Sequence, residues 1–185
     1  GGRIFSFIRD INRRQRAEAL LKVRLHLSEM ATRESLDPLL RAALDIAERF
    51  TGSTISFFHF VDPDQEHVFL QSWSTLTLKN HCSAIGKGQH YPISQAGVWA
   101  DGIRQHRPVI HNDYAGLPDK KGLPEGHAVL IRELVVPILR NPNQAVALLG
   151  VGNKPEDYDE DDLEVVKQLA AMVMEVVERK WTEER

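Results

Sequence analysis

The run Ala145–Val151 (A-V-A-L-L-G-V) constrains this chain more than any other segment. It reads as a strand apolar enough along its length to be covered on both faces. Glu133–Leu139 (E-L-V-V-P-I-L) precedes it, and Asn141-Pro142-Asn143 supplies the turn of a hairpin. Pro137 cannot donate to a ladder, so it predicts an edge stretch or a bulge in the earlier strand. A second strand pair stands upstream. Thr54–Val61 (T-I-S-F-F-H-F-V) is β-branched and aromatic, Asp62-Pro63-Asp64 makes a turn, and Val68–Trp73 (V-F-L-Q-S-W) returns.

Helical patterns frame these hairpins. Ala17–Ala31 favours helix, and Ala17, Leu20, Arg24, Leu27 and Ala31 form a narrow seam that predicts a partner helix rather than a core. Asp37-Pro38 predicts a second helix start, with Asp37 accepting free first-turn N–H groups and Pro38 at the first helical position. Leu39, Leu40, Ala43, Ile46, Ala47 and Phe50 give that helix a broad core face, and Gly52 can end it in a left-handed turn. Near the C-terminus, Asp159 or Asp161 caps a long helix through Lys180. Its Leu163, Val166, Ala170, Val173 and Val177 stripe is widened by Leu169, Met172 and Val176, predicting one side on the sheet and another on a partner chain.

Between the hairpins, from Ser74 to about Ile131, no strong strand appears, and an excursion of that length in a compact domain usually carries function. Within it, Gly97–His106 reads as a short helix and Arg107–His111 as extended. The order is helix, helix, strand, strand, excursion, strand, strand, helix, which predicts an α+β fold with helices grouped around an antiparallel sheet.

Composition narrows the function classes. The 185 residues suit one domain, and a net charge of −3 gives no reason to expect nucleic acid or an anionic membrane as partner. No apolar run approaches the roughly 20 residues that span a bilayer. The lone Cys82 excludes an internal disulfide framework and fits a reducing compartment, so a cytoplasmic setting is expected.

The two ends echo each other. Ile11–Leu20 (I-N-R-R-Q-R-A-E-A-L) aligns with Val176–Arg185 (V-V-E-R-K-W-T-E-E-R) in its apolar lead, basic pair and following glutamate. The N-terminal stretch resembles the D-I-T-x-R-K-x-A-E-x-x-L run that closes PAS domains in bacterial sensor proteins. That resemblance implies a linker or signalling helix over 1–34, a domain over 35–177, and the start of a second linker at 178–185.

Gly150–Asp162 (G-V-G-N-K-P-E-D-Y-D-E-D-D) is similar to the N-K-x-x-x-F/Y-D/E-x-x-D element that ends the last strand of GAF domains, with Asn153, Lys154, Tyr158, Asp159 and Asp162 at matching positions. Structural roles are expected for these five. W-S-T-L-T-L-K-N-H-C-S-A-I-G-K-G-Q-H-Y-P-I-S-Q-A-G-V-W-A-D and R-P-V-I-H-N-D-Y-A-G-L-P also resemble a GAF subfamily of hybrid histidine kinases and diguanylate cyclases. The resemblance runs from about Ser35 to Val177. It implies a GAF-like, PAS-related central antiparallel sheet with helices on one face and a lid-covered pocket on the other. It also implies a sensory role that binds a small molecule or relays conformational change to an output domain, and a parallel homodimer through the terminal helices.

For the pocket, Trp73, Tyr91 and Trp99 are the aromatic wall candidates, and His111, Asn112, Asp113 and Tyr114 are polar candidates after a strand; core packing and an Asx-type turn are the competing roles. Catalytic residues are not expected. The eight histidines include no H-x-x-x-H on a helix and accompany no paired cysteines, so a metal site is not expected. Nothing specific to haem stands in the sequence, and His81-Cys82 reverses the order of a bilin attachment site, so the cofactor is left open. Two rival readings remain: a cysteine-dependent redox enzyme using Cys82, and a dimerisation spacer with an empty pocket.

Overall fold

A computed structural model describes residues 2–80, 90–118, 120 and 129–183. Its elements run α1 (Gly2–Ala31), α2 (Leu36–Thr51), β1 (Ile55–Val61), β2 (His67–Trp73), α3 (Thr75–Asn80), β3 (His90–Pro92), α4 (Asp101–Gln105), β4 (Val109–His111), β5 (Glu133–Asn141), β6 (Gln144–Gly152) and α5 (Glu160–Glu183). The six strands form one sheet in the order β3-β2-β1-β6-β5-β4, with every neighbouring pair antiparallel. The two expected hairpins are its centre. The excursion contributes the short edge strands β3 and β4; β4 falls within the extended stretch expected at Arg107–His111, while β3 is too brief to announce itself in sequence.

Alternation along the strands divides the interior in two. Phe58, Phe60, Leu134, Val136, Ala147, Leu149 and Val151 face α1, α2 and α5. Ile55, Phe57, Val61, Val68, Leu70, Val135 and Leu148 face the opposite side, covered by Ile93, Val98, Ile103 and Tyr114 of the excursion. β6 is therefore buried on both sides, as its continuous apolar run predicts. Pro137 lies beyond Val135, where the pairing with β4 ends, and a register shift follows at Ile138/Leu139, so its missing N–H removes no bond to β4.

Three helix expectations need correction. α2 begins at Leu36, so Asp37 lies in the first turn rather than at the cap position, which is Ser35, and its carboxylate accepts from Gln71 Nε2 at 2.8 Å. Pro38 sits inside the first turn, where a missing N–H still costs no helical bond. Gly52 does close α2 in the left-handed conformation, at φ 73°. The second correction concerns α1: Leu20, Leu27 and Ala31 of the expected partner seam are buried in this chain's own helical layer. Likewise both apolar stripes of α5 pack inward, with Val166, Leu169, Val173, Val176 and Val177 buried, while its outer positions are largely polar. These seams are filled intramolecularly because α1 and α5 lie side by side. They run in the same direction, with Arg16 beside Asp161 at 3.4 Å, Arg24 beside Glu175 at 2.7 Å, and Arg179 Nη2 donating to the Ser28 carbonyl at 3.2 Å.

The segment joining β6 to α5 is held as the GAF-like motif suggests. Asn153, at φ 58°, bonds the backbone of Val129 and Ile131. Lys154 pairs with Asp162 at 2.6 Å. Asp159 caps α5 by accepting from the Asp162 N–H, while the Asp162 carboxylate reaches back to the Asp159 N–H, a reciprocal capping arrangement. Tyr158 is buried, with its hydroxyl 2.7 Å from Ser53 Oγ.

Candidate functional site

The sheet face away from the helices carries the chemistry. Strand register sets out its floor in rows. One row runs Trp73–Phe57–Gly150–Val135–Val109, and its neighbour runs Ile55–Gly152–Glu133–His111.

Trp73 reaches this face only through a bulge. Phe58 pairs with Ser72 but His59 pairs with Leu70, so Gln71 is an extra residue in β2. Simple alternation from Val68 and Leu70 would send Trp73 to the helical layer. The inserted residue reverses the parity, and Gln71 is anchored on the helical side by its bond to Asp37. Trp73 then meets Phe57 edge-on, with centroids 5.8 Å apart. Trp99 meets Phe57 at 6.0 Å and stacks on the His59 imidazole at 4.3 Å and 24°. His59 is buried, and desolvation lowers its pKa to about 3, so the ring is neutral across the physiological range.

Arg104 positions Trp99. Its guanidinium donates to the carbonyls of Gly97 at 3.0 Å, Ile93 at 2.7 Å and Ala96 at 2.7 Å, and to Asp101 at 2.7 Å. Those carbonyls belong to the segment entering the 3-10 turn Val98–Ala100 that holds Trp99. α4 itself lies close on the sheet at Gly102, where an added Cβ would come 3.1 Å from Leu148 and 3.3 Å from Val135.

In the next row, Glu133 is fully buried, and its Oε1 lies 2.8 Å from His111 Nδ1. Where the carboxyl is ionised it only accepts, and Nδ1 is then the donor of this bond. His111 Nε2 points toward Asp101 at 3.8 Å. Tyr114 is buried nearby, and desolvation followed by the Glu133 charge holds its phenol above the ordinary range.

Of the sequence candidates, Trp73, Trp99, His111 and Tyr114 thus stand on or beside this face. Tyr91 pairs with Val68 in β3, and its side chain lies outside the described residues, as do His81 and Cys82. Asn112 and Asp113 are turned to structural work. Asn112 Nδ2 donates to the Tyr158 carbonyl at 3.1 Å and its Oδ1 accepts the Tyr158 N–H at 2.8 Å. Asp113 Oδ1 accepts the Gly116 N–H at 3.1 Å, a local side-chain-to-backbone bond that reaches three residues on, one further than an Asx-type turn.

Phe57, His59, Glu133 and Arg104 were not singled out in sequence. The alternation Ile55, Phe57, His59, Val61 puts the first two on one face, and a lone acid opening E-L-V-V-P was the available signal for Glu133. Among the described residues, Asp62, Asp64 and His67 also bring three ligating atoms within 4.8 Å at the β1–β2 turn. Their own bonds account for that cluster, since Asp64 Oδ2 holds His67 Nδ1 at 2.6 Å and Oδ1 accepts the Glu66 and His67 N–H groups. No helix among the described residues is long and apolar enough to cross a membrane.

Comparison with known proteins decides the family. Residues 33–178 match the family model described as GAF domain. The chain belongs to the GAF family. This GAF domain is 36% identical over 190 aligned positions to the methyl sulfide methyltransferase-associated sensor of Methanosarcina acetivorans, an alignment covering 98% of the chain and 19% of that protein. The chain thus spans about a fifth of the relative's length. Among solved structures, the GAF domain of a Coxiella burnetii phosphoenolpyruvate-protein phosphotransferase superposes with a TM-score of 0.68 at 14% identity, covering 90% of this chain and 97% of that one. The corresponding Acinetobacter domain gives 0.65 at 13% identity, over 90% and 98%. The free methionine-R-sulfoxide reductase of Neisseria meningitidis, bound to its substrate, gives 0.62 at 17% identity, over 86% and 88%. At such identities these likenesses establish the α+β GAF fold and nothing finer.

Proposed function

We propose that this domain is a non-catalytic sensor. A small molecule seats on the sheet face opposite the helices, and the resulting shift passes through α1 and α5 to an output domain of a longer signalling protein. The observation that carries the reading is the buried Glu133–His111 pair, set on the same sheet face as the Phe57, His59, Trp73 and Trp99 rings. Desolvating a carboxylate costs several kcal/mol before pairing, on the order of what a whole domain retains as stability, so purely structural faces seldom carry one. Aromatic walls with a few convergent polar groups are what small-molecule sites require. In this reading Trp73, Tyr91, Trp99, His111 and Tyr114 contact the ligand, Glu133 fixes His111, and Asn112 and Asp113 hold the loop that carries them. The sensor name of the relative supports the same class, and its greater length supports a longer parent protein; the resemblance of the excursion motifs to a GAF subfamily of histidine kinases and diguanylate cyclases is what suggests an output of that type.

Native mass spectrometry of freshly purified protein, compared with its denatured mass, tests this. A retained mass that is lost on denaturation, and is depleted about tenfold or more in Trp99→Leu and Glu133→Gln, is the expected result. Bare polypeptide in both spectra, with no thermal stabilisation by any member of a metabolite library, overturns it in favour of a spacer. The fold likeness to a methionine-R-sulfoxide reductase keeps one enzymatic alternative specific. Sulfoxide-reducing turnover that disappears in Cys82→Ser would establish that alternative instead.

A further inference from the structure

His111 stands between two carboxylates that belong to different elements. Glu133 of β5 lies 2.8 Å from its Nδ1, and Asp101 at the start of α4 lies 3.8 Å from its Nε2. The first contact is a hydrogen bond; the second is longer than one. A neutral imidazole that donates from Nδ1 presents a lone pair at Nε2, so acceptor faces acceptor across the longer gap. A proton on Nε2 turns that contact into a charge-assisted bond, and the imidazolium then satisfies both carboxylates at once.

The surroundings favour that proton. Among the described residues, the charged and titratable groups around His111 are Glu133 from β5, Asp101 and Arg104 from α4, and Tyr114 beside Glu133. Arg104 is already committed to Asp101 Oδ1 and to three carbonyls. The Tyr114 phenol, held above its ordinary range, stays neutral. With His111 neutral, the two carboxylates outweigh the one guanidinium; with His111 charged, the set balances. The side chains of Glu133, His111 and Asp101 are 0%, 12% and 23% exposed, so water screens these charges little.

Asp101 is tied to the segment that covers the sheet. Arg104 joins its Oδ1 to the carbonyls of Ile93, Ala96 and Gly97, and the turn Val98–Ala100 held between them carries Trp99. Shortening the Nε2–Oδ2 contact from 3.8 Å to about 2.8 Å draws α4 and that turn toward β4 as one unit. We propose that His111 is a proton-operated latch: protonated, it joins β4 to α4 through Asp101 and closes the Trp99 segment over the sheet face, and neutral, it releases that segment. Histidine is the side chain suited to such a switch between about pH 5 and 8. The regulatory consequence rests on the sensory reading, since a cover governs access only where the face takes a ligand. The latch itself is a property of the bare chain.

Two-dimensional NMR of the 15N-labelled 185-residue chain, titrated from about pH 8 to about pH 5, follows the His111 ring nitrogens and the Trp99 indole N–H together. The expected result is one shared midpoint, with the Trp99 signal moving as His111 takes up its proton. Asp101→Asn replaces the acceptor with an amide that can donate to neutral Nε2, so Trp99 should hold its low-pH shift at every pH. His111→Gln should abolish the transition. The amide spectrum of the same sample reports that each variant is folded, and either variant alone decides. A Trp99 resonance that does not respond, that titrates at a midpoint other than that of His111, or that still titrates in Asp101→Asn overturns the latch. Failure of the sensory reading is read separately, as bare polypeptide in the native mass spectra, whether or not Trp99 titrates.

Discussion

The ring of Phe57 lies over the backbone of Gly150 on the adjacent strand, so closely that a Cβ at Gly150 would come within 2.2 Å of Phe57 Cζ. Glycine is needed here for space, since the strand conformation itself suits any residue. The ring is in turn held by Trp73 and Trp99, so it cannot yield without moving both.

Gly150→Ala should therefore destabilise the domain by about 1–3 kcal/mol, the usual cost of overfilling a packed interior. Tryptophan emission should shift as Trp73 and Trp99 are displaced. Urea denaturation followed by fluorescence measures both; an unchanged midpoint with unchanged emission would contradict the packing described.

Burial of His59 gives stability a definite pH dependence. Its folded pKa of about 3 lies below the unfolded value near 6.5, so on acidification the unfolded chain takes up a proton that the folded chain refuses. Stability from this group is intact above pH 6.5 and falls toward pH 3, with a slope approaching about 1.4 kcal/mol per pH unit. His67, whose pKa is raised by its bond to Asp64, acts in the opposite direction, losing its contribution as pH rises. The difference between wild type and His59→Gln in urea midpoints from pH 7 to pH 5 isolates the buried ring, and the variant should show the flatter profile.

Glu48 ties α2 to β1 and α3. Its Oε1 accepts Ser56 Oγ at 3.1 Å and Thr77 Oγ1 at 3.3 Å, and Ser74 Oγ also donates to it. Desolvation, the largest influence, raises its pKa. The ionised form is thus disfavoured in the fold, and this cost is felt as pH rises through the unfolded value. Glu48→Gln keeps an accepting oxygen and should change stability at pH 7 by less than about 1 kcal/mol. Glu48→Leu strands buried hydroxyls and should cost about 2–4 kcal/mol. Equal losses in the two variants would show that the hydroxyl network is not what matters.

Asn112 tests structure against ligand contact. Its two bonds to the Tyr158 backbone tie the β4 exit to the approach to α5. Asn112→Ala should cost about 1–3 kcal/mol of stability by leaving both backbone groups unmade. The amount of ligand retained per folded molecule should be unaltered, as read by native mass spectrometry. A variant of native stability that retains no ligand would return Asn112 to the binding wall.

Much of the architecture was legible from the chain alone, because helices, strands and hairpins are signalled by neighbours a few residues apart. The continuous apolar run of β6, the Gly52 stop, the Asp159 cap and the N-K-x-x-x-Y-D-x-x-D element are all of that kind. The site is different. Trp73 faces Phe57 only because Gln71 is bulged out of register, and a bulge is invisible until two strands are paired. Glu133 meets His111 across a strand pair, and Arg104 gathers carbonyls from a separate turn. α1 shows the division most plainly. The sequence marked Leu20 and Leu27 as part of a seam for a partner helix; the tertiary packing of α5 and α2 made them core and left Leu21 and Leu25 outside. Periodicity is a local property of a helix, whereas burial depends on what else the chain brings to that side.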